Sequence, residues 1–69
     1  MMFTTNNLVK KRRDYNNDVY IIVATSTENT TGILFEQGFD YAIRKFADSN
    51  GIIRDNTKIE FVSENDLCI

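Results

Sequence analysis

The stretch Gly38-Phe39-Asp40-Tyr41-Ala42-Ile43-Arg44-Lys45-Phe46-Ala47-Asp48-Ser49-Asn50-Gly51 decides how this chain is read. Phe39, Ala42, Ile43, Phe46 and Ala47 fall at i, i+3, i+4, i+7 and i+8, the one-sided stripe of an amphipathic helix. Asp40, Arg44, Lys45 and Asp48 cover the other side. Asp40 suits the positive end of a helix dipole and stands four residues before Arg44, the spacing of a helical ion pair. Asn50-Gly51 reads as a stop, with Gly51 as a left-handed cap and Ile52 packing back. The spacing therefore predicts a helix over residues 39–49, entered through Gly38 as its N-cap. Asp48-Ser49-Asn50-Gly51 also opens like a calcium loop. The ligands that should follow are missing, so the cap reading stands.

Upstream lies Val19-Tyr20-Ile21-Ile22-Val23-Ala24-Thr25, β-branched, without a breaker and apolar on both faces. It reads as a central strand. Residues 26–31 form a polar turn, and Ile33-Leu34-Phe35 is a short apolar run, which predicts a second strand over residues 31–36. Downstream, residues 57–63 alternate, with Ile59 and Phe61 facing one way and Lys58 and Glu60 the other. Residues 64–69 show no pattern. The expectation is an α+β fold, β-β-α-β, with one helix on a three-stranded antiparallel sheet of order 2-1-3. Residues 18–69 form that domain, and Phe46 belongs to its core. Residues 1–17 form a charged arm, either an added edge strand around Leu8 to Tyr15 or an unstructured lead-in.

Sixty-nine residues make one domain with a thin core. Net charge is −2, but Lys10, Lys11, Arg12 and Arg13 hold half of the eight basic residues. Without them four basic residues face ten acidic ones, a balance of −6. The chain is a basic arm on an acidic body. The single cysteine, Cys68, rules out an internal disulfide and fits a reducing compartment. There is no histidine, so one chain cannot assemble a four-ligand zinc site of nitrogen and sulfur. No apolar run spans a bilayer and no signal peptide opens the chain, so a cytoplasmic protein with no membrane partner is expected. No nucleophile elbow, catalytic histidine or phosphate-cradling glycine loop is present. The chain reads as non-catalytic and without a cofactor.

The partner-binding candidates are Lys10, Lys11, Arg12 and Arg13, whose charges suit phosphates or an acidic protein, with Tyr15 placed to stack on a base. A single helix covers one face of a three-stranded sheet. Tyr20, Ile22 and Leu34 are therefore expected on the uncovered face, as the interface of a homodimer or of a target.

Val19-Tyr20-Ile21-Ile22-Val23, a hairpin, and Ile33-Leu34-Phe35-Glu36-Gln37-Gly38-Phe39-Asp40-Tyr41-Ala42-Ile43 leading into a last strand resemble small phage-encoded β-β-α-β proteins. Compact anti-CRISPR inhibitors of multi-subunit effector complexes are among them. The resemblance covers residues 18–63, is architectural, and carries over no binding residue. It implies a host-directed inhibitor. The function expected is stoichiometric occupation of a larger protein or nucleoprotein complex. The alternative is a small nucleic-acid-binding accessory protein that uses the basic arm.

Overall fold

The computed structural model describes residues 2–28, 32–53 and 58–69. Its strands are β1 (Leu8–Lys11), β2 (Val19–Thr25), β3 (Tyr41–Ala47), β4 (Glu60–Val62) and β5 (Leu67–Cys68), with a 3-10 turn over Glu64–Asp66 between the last two. All pairings are antiparallel and the sheet order is β4-β3-β2-β1-β5. The chain meanders through four strands. The 3-10 turn then carries it across the open side to return β5 alongside β1. The sheet curls into a half-barrel with the core inside.

The expected α+β fold is overturned. The described residues contain no α-helix, and the residues read as a helix form β3. Both periods are present in Tyr41–Ala47. Tyr41 and Ile43 alternate onto the inner face and are fully buried there, facing Val62 and Ile22. A helix of this length is marginal alone. Pairing on both sides, and burial of a tyrosine and an isoleucine among β-favouring neighbours, outweigh it. Lys45 hid the alternation. It occupies an inner-face position past the end of the apolar core, where the half-barrel opens to water.

Gly38 is a turn residue at φ 94°, and not an N-cap. Gly51 is left-handed as expected, but in a turn after β3: the Asp48 carboxylate accepts from the amides of Asn50 and Ile52. Ile52 is exposed rather than packed back.

The expected 2-1-3 order does not occur. Residues 32–36 form no strand, residue 31 lies outside those described, and the hairpin partners of β2 are β1 and β3. The β-β-α-β order behind the phage-protein resemblance is therefore absent. Of the strand expected over 57–63, Glu60–Val62 forms, and residue 57 lies outside the described residues. Val62 is its inner core residue. Phe61 faces outward, where the rings of Phe35 and Phe39 meet it at 5.3 and 6.2 Å.

The arm is part of the barrel. Phe3 and Val9 join Tyr20, Ile22, Tyr41, Ile43, Val62 and Leu67 in one core cluster. β1 is an interior strand, paired on both sides. The patternless tail supplies β5, with Leu67 in the core.

Candidate binding face

One end of the half-barrel is polar, and the strand registers explain why. On the inner face Val9 is followed by Lys11, Ile43 by Lys45, and Val62 is preceded by Glu60. Each strand thus carries its apolar residue into the core and a charge to the mouth. Lys11 bridges from β1 to Glu60 on β4, past the two strands between them, and spans the mouth. Its ammonium also lies 4.8 Å from the centre of the Tyr20 ring. Burial disfavours charge on Lys11. The hydrogen bond and opposite charge of Glu60 outweigh it, and the net effect holds the amine above its ordinary 10.5. Beside this pair, Lys45 contacts Asp18 at 3.0 Å, and Asp18 is only 7% exposed.

The loop from β1 to β2 overhangs this mouth. The Asp14 amide donates to the Lys11 carbonyl, and the Asn16 amide donates to Asp14 Oδ1 at 2.9 Å. Asn17 turns left-handed at φ 57°, as asparagine tolerates, and delivers the chain into β2. These bonds hold Tyr15 outward, 96% exposed. Arg12 ties the loop's base to the C-terminal segment: its backbone amide donates to the Asp66 carbonyl at 2.8 Å, Nε to the Asn65 carbonyl at 3.1 Å and Nη2 to the Leu67 carbonyl at 3.3 Å. Loop and mouth together frame a groove of about 690 Å³. Lys11, Arg12, Arg13 and Lys45 line it along with four carboxylates, so its formal charge balances.

The structure therefore divides the basic run. Lys11 points inward to Glu60, Arg12 is spent on backbone carbonyls, and Arg13 lies exposed at the groove. Lys10 lies exposed on the outer face, beside Val19 and Cys68. Tyr15 joins Arg13 on the same loop.

The expected interface of Tyr20, Ile22 and Leu34 does not come together. Tyr20 and Ile22 are core residues, because the curl of the sheet closes over their face without any helix. Leu34 stands apart, 89% exposed.

Asp18 and Lys45 are site residues that the sequence reading missed, and Glu60 was read only as part of the acidic body. The signal was present as charge two residues from an apolar core position on three different strands. Among the described residues no group of His, Cys, Asp and Glu is placed to hold a metal, and no helix is long and apolar enough to cross a membrane. No family model, curated protein or solved structure matches the chain.

Proposed function

We propose that this chain is a non-catalytic binding protein that occupies a surface on a larger protein, one copy to one site, through the loop of residues 12–17 and the mouth beneath it. The observation that carries the reading is Tyr15. It is the most exposed large side chain at this end, yet its loop is internally hydrogen-bonded, so little freedom is lost when it docks. Tyrosine and arginine, here two residues apart on a hydrogen-bonded loop, are residue types that dominate protein interfaces. The charges of the mouth favour a protein over nucleic acid. Phosphates gain affinity by replacing counterions on unpaired cations. Here Lys11 and Lys45 already face carboxylates, and Arg12 is held by carbonyls.

The test uses Arg13→Ala with Tyr15→Ala, both at exposed positions, in the full chain. Crosslinked capture from the cells that express the protein should yield a one-to-one protein complex. The double variant should lose about tenfold or more of it while melting as the parent does. Capture that is abolished by nuclease, with affinity falling steeply between about 50 and 200 mM salt, would overturn this reading in favour of the nucleic-acid role.

A further inference from the structure

We infer that the outer face of the sheet is a second docking surface, and that its occupant is an acidic amphipathic helix of a partner protein. Two cross-strand rows carry it, beside the part where Phe61 meets Phe35 and Phe39. Leu8, Ile21 and Arg44 align across β1, β2 and β3, and beside them Cys68, Lys10 and Val19 align across β5, β1 and β2. Leu8 is 49% exposed, and Val19 and Ile21 are only partly covered, so apolar surface faces water between two cations. Neither row contains a carboxylate. The side chains of Lys10 and Arg44 make no hydrogen bond or ion pair among the described residues, unlike Lys11 and Lys45 at the mouth. On a chain of net charge −2, two cations with no hydrogen bond or ion pair among the described residues thus stand beside apolar surface.

The spacing specifies the occupant. Strands lie about 4.8 Å apart and alternate residues about 6.8 Å apart, which puts Lys10 and Arg44 roughly 12 Å apart on a diagonal passing between Val19 and Ile21. A helix rises about 1.5 Å per residue, so carboxylates about seven or eight positions apart span that diagonal on one helix face. The residues three and four positions between them then lie over Val19 and Ile21. Arg44 also lines a small hollow of about 180 Å³ with Tyr20, Lys45, Lys58 and Glu60, which places it at the border between this face and the mouth, and charges at an interface rim act by steering and register. An anionic bilayer is the weaker match. Two cations contribute only about 1 kcal/mol each at a membrane surface.

The isotope-labelled full-length protein, titrated with a synthetic helical peptide carrying two Glu about seven residues apart and Leu between them, tests this by NMR. Shift changes are expected at Leu8, Lys10, Val19, Ile21 and Arg44. Affinity should fall about tenfold or more for Lys10→Glu or Arg44→Glu, and equally when Lys replaces Glu in the peptide. The peptide exchange keeps the test decisive if either protein variant fails to fold. Three results would overturn the inference: no shifts at about millimolar peptide, shifts at Arg13 and Tyr15 instead, or tighter binding to phosphatidylserine vesicles or to oligothymidine than to the peptide.

Discussion

The Tyr41 hydroxyl donates to Glu64 Oε1 at 2.8 Å and accepts from the Phe3 amide at 3.1 Å, so one buried side chain ties the N-terminal segment to the turn before β5. Glu64 Oε1 also accepts from the Met2 amide at 2.6 Å, and the Glu64 amide donates to Asp40 Oδ2. The Phe3 and Tyr41 rings meet edge to face at 5.8 Å. Burial, together with the Glu64 carboxylate, pushes the Tyr41 hydroxyl above its ordinary 10.0.

Tyr41→Phe keeps the ring and removes the shared hydroxyl. The Phe3 amide is then left without its acceptor in a buried setting, at a cost of about 1–3 kcal/mol. In a domain of this size each kcal/mol lowers the melting temperature by about 4–8 °C. Urea and thermal unfolding of the variant measure it.

Acid should weaken the same closure. Hydrogen bonds from the Met2 amide and the Tyr41 hydroxyl hold the Glu64 carboxyl below its ordinary 4.5, and the Ser63 amide and hydroxyl hold Asp66 below its ordinary 3.8. A carboxyl depressed in the folded state stabilises fully above its ordinary value, and that contribution disappears as pH falls through the depressed one. Unfolding free energy should therefore decline as pH drops below about 4.5. In the Glu64→Gln, Asp66→Asn double variant, measured by urea titrations at several pH values, the slope should be shallower.

Core truncation distinguishes the strand from the helix read in the sequence. Ile43→Ala empties a fully buried inner-face position and should cost about 2–5 kcal/mol. Phe46, placed in the core by the helical stripe, is only partly buried. Phe46→Ala should cost less than Ile43→Ala despite deleting more atoms. Paired thermal melts give the order directly.

Deleting residues 1–13 removes β1 with Phe3 and Val9, and leaves β2 and β5 without their shared neighbour. The truncated chain should lose cooperative unfolding. A dispensable arm would instead leave a sharp transition, as followed by circular dichroism during heating.

Lys45→Met keeps the stem of the side chain and strips the ammonium from the almost fully covered Asp18 carboxylate. A loss of about 1–3 kcal/mol follows from the uncompensated charge. Lys11→Met, which breaks a pair exposed at the mouth, should cost no more than about 1 kcal/mol. Chemical denaturation of the two variants side by side compares the pairs.

What depends on local chemistry was legible along the chain: the lack of an internal disulfide, the β2 strand with its β-branched run, part of β4 and the left-handed Gly51. Tertiary structure alone decided β3. Residues 41–47 satisfy both a 3.6-residue and a two-residue period, and the choice rests on β2 and β4, which flank them in space. It also decided that Phe3, Val9 and Leu67 are core, since segments so short or charged gain their burial only from strands distant in sequence. The site divided the same way. Arg13 and Tyr15 were visible as residue types, whereas the pairing of Lys11 with Glu60 and Lys45 with Asp18 exists only because the curl brings four strands to one mouth. The same curl made Tyr20 and Ile22 core. A flat sheet under one helix leaves a face open, and a curled sheet buries its inner face against itself.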